Sequence, residues 1–464
     1  MSRTPRSPLI KILLIIIALL AAADITVISL CFKTPGGTKP DKKPSTSHSQ
    51  SAPTVEDTEA PTEAAPELLS TATVLSTGDI LMHISVINSG KQEDGSYNFD
   101  SIFRYVKSYT QAADFSVANL ETTLCGTDNG YGYSGNPRFN CPDAIVDSLK
   151  DAGFDLLLTA NNHAADTDLV GYKRTLNTVR DKGLDTLGTY LSADERKWTI
   201  EEVNGIKIGM VCYTYSEGFS QKGYPVLNYH EVAENGILNY FTYDKLPEFY
   251  TQLQGCLDEM KAAGAEATMV YLHWGDEYKW KTGEGPNANQ TAMAQKLCDL
   301  GVDVIVGGHP HVVQPVDLLQ STEDPDHKTV ILYSMGNAVS NQRFGNISSI
   351  STPHTEDGVL FSVTFSKYSD DTVYLEDVNV IPTWVNLNSN NGSRQYNIVP
   401  LDDAIRSEWQ EKFNMSENEF NAAQRSYDRT EKLVTEGIVK SKEYLAQQKQ
   451  QREENYLQAA QNAA

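Results

Sequence analysis

The residues of this chain best suited to chemistry are oxygen and nitrogen ligands, not thiols. Two histidines flank a proline in Gly307-Gly308-His309-Pro310-His311. Neutral imidazole is the commonest metal-binding side chain. Pro310 biases His309 toward an extended conformation, in which residues i and i+2 point to the same side. Both rings are therefore expected to face a single metal cluster. Further polar positions, Asp79, Glu121, Asn162, His273 and Asn337, are scattered through the chain on either side. Carboxylate, carboxamide and imidazole together suit Mn, Fe or Zn and not soft-metal thiolate sites. A binuclear hydrolytic centre requires a carboxylate that bridges two cations, flanked by His and Asn. Two ions about 3.5–4 Å apart share phosphoryl charge and generate a hydroxide nucleophile.

Each member also has an ordinary explanation. Asp79 after Gly78 suits a helix cap, and Asn161, Asn162 and Asn337 suit turns. Glu121 suits a solvated loop and His273 a core; Trp274 and Tyr278 read as packing, and His83 as structural. None of these explanations accounts for where the residues fall relative to the strands. Apolar runs at 73–76, 115–118, 154–159, 206–213, 268–272, 302–306 and 330–333 predict strands. Stretches at 99–109, 143–152, 168–182, 246–263 and 291–300 predict helices between them, the second closed by Gly153. That alternation is the βαβ signature of a mainly parallel sheet. Carboxyl ends of parallel strands line up along one edge, where ligands bind. Asp79, Glu121, Asn162, His273, His309 and Asn337 each follow a predicted strand, so their motifs converge there. Residues 359–365 and 373–380 read as an antiparallel pair closing the domain.

The flanks read differently. A chain of 464 residues holds ample material for a large core, and its net charge of −23 argues against a nucleic-acid partner. Of the six cysteines, Cys125 and Cys141 flank a Gly/Tyr/Asn-rich loop and are candidates for a disulfide if the domain is exported. Cys212, Cys256 and Cys298 read as core. Residues 1–8 form a basic start, expected in the cytoplasm. Residues 9–32 are apolar for long enough to cross a bilayer as a signal-anchor helix, with Asp24 inside. The rival reading is a cleaved signal peptide ending at Ala21-Ala22-Ala23. Residues 33–70 are too poor in large apolar side chains to fold and read as a disordered linker. The folded domain is expected over 71–385, followed by a polar, largely helical tail over 386–464 that reads as a solvated appendage, with packing on the domain as the alternative.

With these motifs assembled, the chain resembles the CapA family of poly-γ-glutamate capsule synthesis proteins. The match is carried by Thr77-Gly78-Asp79, Asn119-Leu120-Glu121, Ala160-Asn161-Asn162-His163 with Asp166, His273-Trp274-Gly275 with Glu277-Tyr278, and the stretches 307–315 and 333–337. They occur in the family's order over about residues 73–384. The resemblance implies the calcineurin-like metallophosphoesterase superfamily: an α/β/β/α sandwich with a site for two divalent metal ions. By the same resemblance Asp79 and His311 hold one ion, Asn162, His273 and His309 hold the other, and Glu121 bridges them. His163 would protonate the leaving oxygen or stabilise the transition state, with Asp166 orienting its imidazole. Asn337 and Glu277 are the expected substrate contacts. The superfamily's Asp-x-His is absent, since Ile80 and Leu81 follow Asp79, and Glu121 stands where a bridging Asp is usual. A thinner ligand set is therefore expected on the Asp79 side.

The implied protein is anchored in the cell membrane by a single pass, with its main domain extracytoplasmic. It would act in capsule or similar surface-polymer biosynthesis or export through a metal-dependent, hydrolase-like site. Its expected partners are the membrane, membrane-bound polymer synthase subunits and the anionic surface polymer. Two other readings stand beside it: an extracytoplasmic metal-dependent phosphoesterase acting on a wall glycopolymer or nucleotide, and a non-catalytic assembly factor with a structural metal site.

Overall fold

The alternating hydrophobic runs fold into two larger sheets, where strand alternation alone suggests one mainly parallel sheet and the family resemblance two. A computed structural model describes residues 65–279, 285–345, 348, 350–388 and 394–463. The expected cytoplasmic start, the membrane helix at 9–32 and residues 33–64 of the expected linker lie outside the described residues, while the end of that linker, expected to be disordered to 70, is already strand from Leu68 onward. Among the described residues, no helix is long and apolar enough to cross a membrane.

The chain first lays down β1 (Leu68–Ile80), β2 (Phe115–Leu120), β3 (Leu156–Leu158) and β4 (Asp185–Leu187) as parallel neighbours. It then builds a second sheet from β5 (Thr199–Val203) and β6 (Ile206–Tyr215) onward. A small hairpin, β7 (Val226–Leu227) with β8 (His230–Glu231), and the short β9 (Tyr240–Phe241) follow. The second sheet is completed by β10 (Ala267–His273), β11 (Val304–Gly308), β12 (Val313–Gln320) and β13 (Lys328–Met335), in the order β12-β13-β11-β10-β6-β5. The chain returns to the first sheet through β14 (Asn337–Val339), which pairs with β1. There β15 (Asp357–Tyr368), β16 (Val373–Asn388) and β17 (Gln395–Pro400) form an antiparallel ladder beside β1.

Period-two alternation assigns each side chain to a layer. Val74, Val117 and Leu158 of the first sheet meet Met210, Met269 and Val306 of the second in a shared core. The intervening residues face outward onto helices. Leu75 and Ala118 join Leu149 of α1 (Ala144–Ala152), and Val270 and Leu272 join Leu253 of α3 (Leu246–Ala262) and Leu297 of α4 (Ala288–Asp299). Here α2 is Asp168–Asp181. Strands covered on both faces read as continuous apolar runs, which is why they were legible in the sequence.

Four differences from the sequence reading have physical causes. The helix expected at 99–109 is two short pieces, Asp100–Phe103 and Lys107–Thr110. The sheet does not stop at 385, because β16 runs to Asn388 and β17 pairs along it. The tail is not a solvated appendage. Its long helix α5 (Glu417–Ala463) buries Val434 and Leu445 in the inter-sheet core. Gly437 of α5 comes so close to β12 that a Cβ there would lie 1.9 Å from Val316 O. Arg429 of α5 makes two bonds to the Asp357 carboxylate, at 2.8 and 2.6 Å, and Ser426 adds a third at 2.6 Å. Finally, Cys125 and Cys141 are separate buried thiols. Backbone and side-chain bonds join their segments instead, as Cys141 N donates to Thr123 O and Cys125 N to Asn140 Oδ1.

Candidate metal centre

Both sheets present the carboxyl ends of their parallel strands to one edge of the sandwich, and the polar motifs meet there. Asp79 closes β1 in register with Asn119 and Asn337. Gly78 is required just before it, since a Cβ would lie 1.9 Å from Gly336 O. Asp79 is fully buried. Asn119 Nδ2 donates to its Oδ1 at 2.7 Å, and His311 Nδ1 lies 3.1 Å from its Oδ2. Glu121, one residue past β2, is equally buried; its Oε1 is 3.4 Å from His273 Nε2 and 3.9 Å from His311 Nε2. On the other side, Asn162 Oδ1 lies 2.8 Å from His273 Nε2.

Two ligand groups result, Glu121 with His273 and His309, and Asp79 with Glu121 and His311. Within each, the candidate atoms lie within 4.8 Å of one another. Glu121 belongs to both. The two histidines of the Gly-Gly-His-Pro-His stretch are thus divided between two groups that share Glu121, as the resemblance implies, although their backbone is not extended. His309 has φ 94° and His311 φ 55°. Left-handed backbone at two non-glycine residues is costly and persists only where the surroundings fix it. It turns the rings apart, to a centroid separation of 6.0 Å.

The electrostatics fit a cation. Burial pushes the Glu121 carboxyl well above its usual range, and the neighbouring Asp79 and Glu277 carboxylates add to it. Burial holds His273 down at about 3 and His309 well below the ordinary imidazole range, so both are neutral. Burial acts against charge on Asp79 and His311 too, but their mutual hydrogen bond and attraction win: Asp79 is lowered and His311 raised. Two buried polar atoms of these groups, Glu121 Oε1 and His309 Nδ1, have no hydrogen-bond partner among the described residues. Buried polar groups are rarely left unsatisfied. Two unsatisfied atoms within one oxygen and nitrogen set suit a divalent ion.

His163 and Asp166 stand beside these groups. His163 Nδ1 lies 2.8 Å from Asp166 Oδ2, which also accepts from Phe139 N at 2.6 Å. The carboxylate therefore fixes the ring and leaves Nε2 for exchange with a ligand. The remaining two expected site residues sit apart. Asn337 is fully buried behind His311: its Oδ1 lies 3.1 Å from His311 Nδ1, and its amide donates to Gln342 Oε1 and Thr355 O. It positions His311 and is not placed to touch substrate. Glu277 is exposed and lines a cavity of ≈ 620 Å³ with Tyr215, Glu217, Asp244, Asp276 and His309.

Sequence reasoning missed several residues. Asn119 donates to Asp79 and, at 3.4 Å, to Glu121 Oε2, while accepting from Asn161. Tyr215, at the end of β6, lies with its ring centroid 4.8 Å from that of His309, tilted by 56°, and parallel to His273 at 6.5 Å. The strand-end rule that found His273 applies equally to Tyr215. Asn228 donates to Asp166 Oδ1 at 3.3 Å from the β7–β8 hairpin, and nothing in its local sequence announces that contact.

Residues 73–342 match the pattern of the family described as "Bacterial capsule synthesis protein PGA_cap". The chain is 32% identical over 267 residues to the PGA biosynthesis protein CapA of Bacillus subtilis (strain 168), covering 57% of this chain and 62% of that protein. It is 28% identical over 276 residues to the capsule biosynthesis protein CapA of Bacillus anthracis, covering 58% and 60%. The match thus spans about three fifths of each relative's length. A solved structure aligns over 66% of this chain at 11% identity, but its TM-score of 0.31 carries no argument.

Proposed function

The chain belongs to the bacterial capsule synthesis family PGA_cap, and from that premise we propose that it acts in capsule or related surface-polymer biosynthesis through a metal-dependent, hydrolase-like centre. Glu121 carries the reading: one buried carboxylate, with an unpartnered oxygen, is common to two ligand groups. Asp79 and His311 would hold one divalent ion, and Asn162, His273 and His309 the other. The layering of helices, sheet, sheet and helices, with ligands at the carboxyl ends of strands, supports a metallophosphoesterase-like fold. Bound Mn, Fe or Zn ions supply charge that stabilises a developing oxyanion.

The chain's own residues do the rest. Asn119 and His311 hold the Asp79 carboxylate in place. Asp166 takes the Nδ1 side of His163, so that Nε2 donates a proton to the leaving oxygen. Asn337 keeps His311 turned toward Asp79. In this reading residues 9–32 anchor the protein in the membrane, with the sandwich outside the cytoplasm. Membrane-bound synthase subunits and the anionic polymer are then its partners.

The test measures bound metal in the purified full chain after Mn²⁺ loading, then turnover of bis(p-nitrophenyl) phosphate by wild type and His163→Ala. The expected outcome is about two ions per chain, with turnover falling about 10²–10⁴-fold in the variant. Absence of bound metal would sink the catalytic reading. Metal without turnover would turn the site into a structural one and the protein into an assembly factor. Rapid turnover of the generic diester would favour a phosphoesterase acting on a wall glycopolymer or nucleotide.

A further inference from the structure

The turn of the β7–β8 hairpin carries a conformational cost that the Tyr229 ring does not recover by packing. Its turn residues are both left-handed, Asn228 at φ 46° and Tyr229 at φ 67°. Two-residue hairpin turns of this kind favour Asn followed by Gly. Asn tolerates the left-handed region; a bulky residue such as Tyr does not. Yet Tyr229 is 88% exposed, so its ring is not held by a core. Strain of this sort gathers at functional sites, where the surroundings over-determine it.

The surroundings are specific. Asn228 Nδ2 donates to Pro137 O at 3.1 Å and Asp166 Oδ1 at 3.3 Å, which ties the hairpin to the His163–Asp166 pair. Tyr229 N donates to Glu217 Oε2 at 3.1 Å, and Glu217 lines the cavity that reaches His309. Tyr229 therefore stands on the rim between the pair and the cavity. Arg138, next to Pro137, is exposed on the loop that Asn228 grips and lies within Coulombic reach of Asp168. The entrance is divided by charge. Glu217, Asp244, Asp276 and Glu277 line the cavity, and no Lys or Arg lines it among the described residues. An anionic chain is repelled by that wall and meets on the other side the Arg138 guanidinium, which stands near the Asp168 carboxylate that Tyr131 and His230 also partner.

We propose that Tyr229 and Arg138 are specificity-determining residues that grip the non-reacting part of an extended, carboxylate-bearing chain as it leaves the metal centre away from the acidic cavity. Tyr229 offers a ring face to methylene groups, and Arg138 a guanidinium to carboxylates. The proposal rests on the reading of the metal centre given above, but its test is separate, because it reads affinity and not turnover.

The probe is a fluorescently labelled γ-glutamyl decamer, titrated by anisotropy against the full-length, Mn²⁺-loaded protein. Tyr229→Gly is expected to raise Tm by about 1–2 °C, because strain is released, and to raise Kd about tenfold. Tyr229→Phe should bind within about twofold of wild type. Arg138→Gln should weaken binding several-fold and flatten its salt dependence. Tyr229→Gly that binds as tightly as wild type overturns the proposal, and so does a fall in Tm, which would make the ring structural. Wild-type protein without measurable affinity for the decamer also overturns it, whatever it does to a phosphodiester.

Discussion

Replacing Glu121 by Gln should make the metal-free protein more stable and nearly blind to metal. Glu121 is fully buried, with Oε1 unpartnered, and burial and Asp79 both oppose its charge. An isosteric amide removes that charge without opening a cavity. Burial of a poorly compensated ion costs several kcal/mol in folded proteins, offset here by partial protonation, so a gain of about 1–3 kcal/mol is expected in chelator. A folded unit of roughly 400 residues unfolds with an entropy of about 0.8 kcal/mol/K, so the gain corresponds to about 1–4 °C in Tm. Metal acts in the opposite sense. At a free concentration 100 times its Kd, an ion binding only the native state stabilises wild type by about 2.7 kcal/mol, or about 3 °C. If losing the shared carboxylate weakens binding about 100-fold, the same concentration gives only about 0.4 kcal/mol, under 1 °C. Thermal melts of both proteins in EDTA and in Mn²⁺ test the crossover. A variant less stable than wild type in EDTA would refute the buried-charge argument. An unchanged metal-induced shift would refute the placing of Glu121 in both groups.

Metal loading should release protons from Glu121 and His311, whose carboxyl and imidazole are both held above their ordinary ranges, and none from His273 and His309, already neutral. Apparent affinity should therefore rise with pH between about 5 and 8. Calorimetry in buffers of different ionisation heat counts the protons, and a count of zero at pH 6 contradicts the assignment. Arg429→Met should destabilise the fold by about 3–5 kcal/mol at pH 8, because Asp357, 1% exposed and ionised there in wild type, loses the partner that offsets its buried charge. Burial outweighs the Arg429 bonds and lifts the Asp357 carboxyl to about 6. A raised carboxyl contributes its stability at low pH and loses it as pH rises through that value, so the variant's loss should shrink markedly by pH 5. Urea unfolding at the two pH values shows this, and equal losses would exclude the buried pair as the cause.

The sequence by itself determined the strand ends. A buried parallel strand must be apolar on both faces, so the run stops visibly where Asp79, Glu121, His273 or His309 begins, and composition marks both the strand and its polar terminus. It determined the His163–Asp166 pair as well, since three residues on one turn are neighbours whatever surrounds them. The order of the motifs, through the family they resemble, already implied how the ligands are shared; only the tertiary structure decided the geometry that brings them together. Division of the strands between two sheets, the left-handed backbone of His309 and His311, and the placing of Asn337 behind His311 depend on contacts between segments far apart in the chain. The same holds for Asn228, which reaches Asp166 across 62 residues, and for α5, which reads as a polar tail until its few apolar positions meet the open side of the sandwich. Local periodicity encodes which face of an element is apolar; which partner covers that face follows from long-range packing, and packing brings Glu121 within reach of both ligand groups.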